Sequence, residues 1–411
     1  MVGESKITLL KPTTFLKDVL TCSLSAFGGP EAHFGVFLDT LVVKKSYLKE
    51  EELVELLALC SILPGPTSTQ TIIAVGHKLG GPKLALLTMM VWALPAIVIM
   101  TLLSFLPQLV TMAEGTKEIL RFLGPMALGF IVLASFRIGK KVVTDFLTGS
   151  IFLATTVILL MNRNSWVFLL VLVLGGVGSV LASVLSSMVR GKGKQDQTPF
   201  TLLKPAQLHP PWKYLILFVG FLLGTELASL LFDITLLDLF QSFFRYGYLV
   251  FGGGQVVVPL MHSELVEIQT TMTTQEFLAG YGLVQGLPGP MFSFAAYAGG
   301  LAARALGPAG QILGALVSGI AIFLPGVLLI FFVYPMWSQL RNQPIIALAL
   351  KGIGAAAGGM ITATALILLN LELGNWQFFG AVLVTLLVLV SKNIPPPVMV
   401  IVAIVAGLVV F

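Results

Sequence analysis

The sequence predicts an all-α polytopic membrane protein: two homologous halves in inverted orientation, with broken or re-entrant helices, joined by one linker helix. Three observations predict it. The chain has 411 residues, 56% hydrophobic and only 10% charged, with a mean hydropathy of +0.97. A soluble chain of this length needs far more charge to cover its surface. Predominantly apolar residues fill 84–106, 166–189, 212–232 and 345–371, each at least the roughly 20 residues that cross a hydrocarbon core about 30 Å thick. Two multi-residue blocks also recur at one fixed shift, so the chain repeats itself.

From the start, Lys6, Lys11 and Lys17 are spread out and no small-residue cleavage site follows an apolar stretch. Insertion through the first hydrophobic segments is therefore expected, not a cleaved leader. Cys22 and Cys60 lie inside apolar segments, where a small buried hydrophobe is the expected role. No CxxC or Cys/His cluster marks a metal site, and no cofactor is called for. The net charge of +5 forms no basic stripe clear of the membrane beyond one short loop, so nucleic acid is not expected as a partner.

The repeat is read from residues. Phe27-Gly28-Gly29 returns as Phe251-Gly252-Gly253, and Leu63-Pro64-Gly65-Pro66 returns as Leu287-Pro288-Gly289-Pro290, both 224 residues later. The same shift matches Glu52 with Glu276 and Gly76 with Gly300. A small insertion then takes it to 230, aligning Leu94-Pro95 with Leu324-Pro325, Arg121 with Lys351, and Gly124 with Gly354. Three units follow: residues 1–189, a hydrophilic loop plus linker helix at 190–233, and residues 234–411. If each half crosses an even number of times, the extra helix at 212–232 turns the second half upside down, a common transporter architecture.

The apolar arms flanking the FGG and PGP motifs are about 10 to 13 residues, too short to span as helices. They are expected to re-enter as hairpins, with the N-terminus inside. Inside loops then hold most lysines and arginines, including Lys44, Lys45, Lys49, Lys78, Lys83, Lys140 and Lys141, while Lys117, Arg163 and Arg304 fall outside, as the positive-inside rule requires. Glu264, Glu267 and Glu276 also land outside. The alternative, full crossing, moves Lys44, Lys45 and Lys49 outside and weakens the bias.

The motifs point to a binding site. Glycine lets the backbone turn and be approached; proline removes an N–H and stops a helix. At membrane depth such breaks face protein or a water-filled cavity, because lipid cannot satisfy the freed groups. Helices restarting after them aim N–H groups inward, which suits an anion. Phe27, Gly28, Gly29, Pro30, His33, Pro64, Gly65, Pro66, Gln70, Gly252, Gly253, Pro288, Gly289 and Pro290 are the candidate substrate-binding residues, with Ser68, Thr69, Ser293 and Tyr297 offering hydroxyls nearby. The alternative is close helix packing and helix-to-helix hydrogen bonding. Arg121 and Lys351, at equivalent positions, either approach one cavity and neutralise a dianion or snorkel to the interface. Glu31 and His33 are the candidates for proton coupling. Arg245 has no charged counterpart at Thr21; it lies within the membrane or equally at the interface. Glu50, Glu51, Glu52 and Glu55 read as a solvated helix start. Hydrolase and nucleotide-motor motifs (GxSxG, HExxH, a P-loop) are missing from the sequence, so no enzyme is expected.

Ser25 to His33, a Ser-x-Phe-Gly-Gly-Pro-x-x-His block, followed by Leu63 to Gln70, a Leu-Pro-Gly-Pro-x-x-x-Gln block, resembles the chromate ion transporter family in its long, two-domain form. The second-half versions resemble it too, over nearly the whole chain. Tyr47 stands where a tryptophan is often found in that family. The resemblance implies about thirteen membrane segments and oppositely oriented halves. It also implies chromate efflux across the cytoplasmic membrane, conferring resistance, with sulfate as the obvious competitor. A homodimer is compatible with it. Transport of sulfate or another anionic solute, or a channel-like role, are the alternatives, because function is set by the site and not by the fold.

Overall fold

A computed structural model describes residues 11–112, 120–162, 165–189, 210–250, 257–340, 343–391 and 393–409. Every regular element among them is helical. Six helical segments are long and apolar enough to cross a membrane, Thr67–Val110, Leu123–Val142, Trp166–Ser186, Trp212–Leu231, Arg304–Met336 and Ile345–Leu371, and shorter apolar helices accompany them. The protein is an all-α, multi-pass membrane protein.

The first half opens with α1 (Pro12–Ser25), α2 (Pro30–Phe37) running into a π-helix (Leu38–Lys44), α3 (Glu50–Ile62) and α4 (Thr67–Leu103). These are not straight spans. Asp18, seven residues before the end of α1, pairs with Lys45 at 3.0 Å and accepts from the Tyr47 hydroxyl at 2.5 Å. A segment that ran straight through would separate these groups by about 40 Å at 1.5 Å per residue. The chain therefore doubles back at Phe27-Gly28-Gly29. It doubles back again at Leu63–Pro66, because Glu52 on α3 pairs with Lys78 on α4 at 2.6 Å. Beyond Lys78, α4 bends where Gly80 and Gly81 leave helical geometry just before Pro82, and its apolar remainder runs on to Leu103. Helices α5 (Leu106–Met112), α6 (Leu123–Val142), α7 (Phe146–Met161) and α8 (Ser165–Val189) complete the half, and α9 (Trp212–Leu231) is the linker.

The second half repeats the pattern with α10 (Thr235–Leu249), α11 (Val257–His262) with its own π-helix (Ser263–Ile268), α12 (Thr274–Gln285) and α13 (Phe294–Ala302). Helices α14 (Gly307–Ala321), α15 (Leu324–Val333), α16 (Trp337–Leu340), α17 (Pro344–Leu371), α18 (Trp376–Ser391) and α19 (Pro396–Val409) follow. Local details recur at the 224-residue shift that the motifs obey. Among the described residues, Ser46 and Thr270 are the two with positive φ other than glycine, at φ 50 and 49. Glu52 accepts from the Lys49 backbone N–H at 2.8 Å with one oxygen and pairs with Lys78 through the other. Glu276 does the same with the Thr273 N–H, at 2.8 Å, and with Arg304, at 2.5 Å. Each of these glutamates caps its own helix and ties that helix to the returning arm. Glu52 is thus more than part of a solvated helix start, and Glu276 is not merely a loop carboxylate.

Helix α17 threads between α6, α7 and α8. It runs antiparallel to α6: Lys351, early in α17, pairs with Asp145 just past the end of α6 at 2.5 Å, and Thr362 meets Ser135 further back at 2.8 Å. Small residues let the backbones approach. A Cβ on Gly175 of α8 would stand 2.8 Å from the Gly352 carbonyl of α17, the close contact that replaces hydrophobic driving force between helices in lipid. Cys22 and Cys60 are free and buried.

Candidate functional site at the hairpin tips

The backbone turns at residues 26–29, 63–66 and 287–290 are the natural place to look for a site, because each leaves N–H and C=O groups unmatched by helix geometry. Two of those groups are satisfied across the halves. The Gly65 N–H donates to the Val250 carbonyl at 2.8 Å, and the Gly289 N–H donates to the Ala26 carbonyl at 2.9 Å. Gly65 and Gly289 are repeat equivalents, as are Ala26 and Val250, so the two bonds are one interaction made twice. Residue i of one half meets j of the other and j meets i, the reciprocity of a two-fold interface. The PGP tip of each half is thereby bound to the residue just before the FGG motif of the other. Gly65 and Gly289 reach this geometry at φ +128 and +97, a region that side-chain-bearing residues rarely enter.

Around the tips, the polar side chains come from the first half. His33 is 2% exposed, and its Nδ1 lies 3.0 Å from the Ser68 hydroxyl, joining the start of α2 to the start of α4. The Trp92 indole N–H donates to the Thr69 hydroxyl at 3.1 Å, and Trp92 stands edge-on to His33 with ring centres 5.4 Å apart. Ser23 donates to the Trp92 carbonyl at 2.7 Å. The Gln70 amide donates to the Pro64 carbonyl at 2.8 Å, bracing the PGP turn from inside. At the equivalent second-half positions stand Val257, Phe292, Ser293 and Phe294, all buried; the Ser293 hydroxyl has no hydrogen-bond partner. Tyr297 donates to the Glu276 carbonyl at 2.9 Å.

The expected residues therefore divide. Phe27, Gly28, Gly29, His33, Pro64, Gly65, Pro66, Gln70, Pro288, Gly289 and Pro290 sit at or beside the tips. Gly252 and Gly253 lie outside the described residues, as do the side chains of Pro30 and Glu31. The two cations are not brought together. Arg121 is exposed and bonds to Gln377, whereas Lys351 pairs with Asp145. These groups flank opposite ends of α6, which at 20 residues is about 30 Å long. Arg245 is not an interfacial snorkel: it is paired with buried Glu264 at 2.6 Å, and Glu264 is not an exposed loop carboxylate. Trp92, Ser23 and the Ala26 and Val250 carbonyls were not singled out by the sequence. Trp92 is hidden in the apolar run 84–106, and a carbonyl has no residue signature. The one available signal was position, since residues 26 and 250 both immediately precede an FGG motif.

Hairpin tips crossed between two repeats, inside a bundle of membrane-length helices, define a class: multi-pass membrane proteins with discontinuous helices meeting in their interior. Within that class the chain belongs to the chromate transporter family, whose model matches residues 13–180 and again 237–408. The two matches begin 224 residues apart, the shift carried by the motifs. The chain is 26% identical to a "Probable chromate transport protein" of Synechococcus elongatus, over 93% of this chain and 91% of that protein. It is 25% identical to a "Chromate transport protein" of Cupriavidus metallidurans, over 94% and 90%, and 25% identical to one of Pseudomonas aeruginosa, over 84% and 78%. No solved structure matches the chain.

Proposed function

We propose that this protein is a secondary transporter that exports chromate, and oxyanions of sulfate-like shape and charge, across the cytoplasmic membrane. The observation that carries this reading is the crossed pair of tip bonds, Gly65 to Val250 and Gly289 to Ala26, which gathers broken helices from both repeats around the His33, Ser68 and Thr69 cluster. A tetrahedral dianion needs several converging donors. The starts of α2 and α4 offer backbone N–H groups with no partner inside the helix, and Ser68, Thr69 and His33 add side-chain donors. The substrate site is thus the tip cluster, with the cations at positions 121 and 351 outside it.

The two halves are proposed to be inverted, residues 1–189 against 234–411, with residues 190–233 between them and the N-terminus in the cytoplasm. The antiparallel course of α6 and α17, equivalent helices of the two repeats, supports this, as does the charge bias of the loops. Outward movement of a dianion from a negative interior gains about 4.6 kcal/mol per 100 mV, so the potential alone is a sufficient drive.

The test is chromate uptake into inverted membrane vesicles, with sulfate and molybdate as competitors. Saturable uptake that sulfate slows is the expected result. Uptake that rises linearly with concentration and ignores competitors would point to a channel, and no uptake above empty vesicles would refute the reading.

A further inference from the structure

Each hairpin is stapled across its arms by an ion pair, and one staple differs from the rest. Asp18–Lys45, Glu52–Lys78 and Glu276–Arg304 lie towards the hairpin mouths with part of their side chains exposed. Arg245–Glu264 joins the arms of the second FGG hairpin deeper in, and Glu264 is 5% exposed. At the equivalent first-half positions stand Thr21 and Thr40, so the second half carries a buried charge pair where the first has two hydroxyls.

The pair is also incompletely satisfied. Arg245 Nη2 donates to Glu264 Oε1 at 2.6 Å, while Glu264 Oε2 and Arg245 Nε are buried with no hydrogen-bond partner. The buried Tyr246 hydroxyl lies against the same pair. A staple chosen for stability would not leave polar atoms of both partners unmet in the interior, since well-packed apolar residues hold as firmly, and buried orphans in a native structure call for an explanation. Arg245 lies five residues before Val250, about 7.5 Å along α10, and Val250 carries the carbonyl that holds the Gly65 tip. The remaining titratable groups nearby are Tyr248 on α10, Glu226 on α9, which accepts from Gln241 at 2.6 Å, and His262 and Glu267 on the same arm as Glu264. Helix α17, which packs on that arm, brings Met360, Ala363 and Thr364.

The geometry points to Glu264 as a proton-binding site that controls Arg245 as an anion-binding cation. Ionised, the Glu264 carboxylate is a built-in anion that occupies the guanidinium. When a proton from the aqueous phase binds Glu264, the acid becomes neutral, the ion pair is released, and the positive charge of Arg245 is left for an incoming oxyanion to balance. One proton and one oxyanion then bind together, and their release in reverse order restores the pair. This rests on the oxyanion-transport reading and adds coupling to it, at a residue other than Glu31 and His33; the coupled species carries one net negative charge, so the potential drives its export with half the force that acts on the bare dianion.

The test uses the full-length protein in proteoliposomes, with the membrane potential clamped at zero and labelled chromate on both sides. With one proton per chromate, a pH difference of one unit should shift the steady-state chromate ratio about tenfold in the wild type. E264Q, neutral at every pH, should show no shift in the chromate it still exchanges. The double variant R245T/E264T, which installs the residue pair of the first half, should lose the shift and exchange chromate more slowly; it carries the same comparison if E264Q does not insert. A tenfold shift that persists in either variant overturns the proposal, as does a wild type that exchanges chromate with no response to pH difference. A wild type that exchanges no chromate overturns the transport reading itself, which separates the two failures.

Discussion

Replacing Gly65 or Gly289 with alanine tests the crossed tips directly. Both glycines hold positive φ, +128 and +97, where a side chain adds strain of about 1–3 kcal/mol. At position 65 the new methyl would also stand 2.7 Å from the Gln70 amide nitrogen. The amide must move, and its bond to the Pro64 carbonyl, worth about 1 kcal/mol, is lost. At position 289 the methyl would meet the Ala96 Cβ at 3.2 Å, a tight contact that breaks no hydrogen bond. G65A therefore costs about 2–4 kcal/mol and G289A about 1–3 kcal/mol. At 1.4 kcal/mol per factor of ten, G65A shifts a balanced equilibrium between formed and unformed tip by about 30- to 700-fold. The assay is chromate uptake per inserted molecule in inverted vesicles. G81A and G307A are the controls, because these glycines also hold positive φ, +71 and +77, but a methyl there meets nothing within 4 Å and neither lies at a tip. G65A should lose the most transport, G289A somewhat less, and the controls little. If G65A and G289A transport as well as G81A, the tips do not form the site.

Two further outcomes follow from groups far from the tips. R121A and K351A should each leave chromate uptake near wild type, because both cations are exposed and held by Gln377 and Asp145, contacts of a kind that contribute about 0–1 kcal/mol; a loss beyond about tenfold in either would return that residue to the substrate path. The Asp145 carboxyl is held at about 2, below its ordinary 3.8, first by the Lys351 hydrogen bond and then by the Thr148 backbone and hydroxyl. A depressed acid stabilises fully above its ordinary value and loses that contribution as pH falls through the lowered one. The melting difference between wild type and D145N in detergent should stay constant over about pH 5 to 8 and shrink only below about pH 4; a difference that varies across the neutral range would refute the assignment.

Much of the fold could be read from residue spacing because its causes are local or periodic. Apolar runs fix helices in a bilayer, and Gly-Pro breaks in arms too short to span fix re-entry. A constant shift of 224 residues exposes the repeat without any knowledge of contacts. What spacing could not supply is which groups meet across the molecule. Arg121 and Lys351 are symmetric in sequence, and symmetry alone suggested a shared cavity. Yet equivalent residues of antiparallel helices are carried to opposite ends, and α6 and α17 keep these two apart. Arg245 and Glu264 were each read singly, as an intramembrane or interfacial cation and a loop carboxylate. They find each other only because the hairpin folds residue 264 back along α10.

The division of labour between the halves has a physical reason. Backbone groups at a helix break must be satisfied wherever the break occurs, so the FGG and PGP motifs recur in both repeats, and each PGP turn bonds to the residue just before the other half's FGG motif. Side-chain chemistry has no such requirement. One set of donors suffices for one anion, and a second set would have to be satisfied whenever the anion is absent. On the proposed reading the first half supplies His33, Ser68, Thr69 and Gln70, while the second has Val257, Phe292 and Phe294 at three of the equivalent positions and keeps the Ser293 hydroxyl at the fourth. The second half instead holds a charge pair, Arg245 with Glu264, between the arms of its hairpin. A symmetric backbone frame with unequal side chains is what duplication followed by specialisation around a single cargo would leave behind.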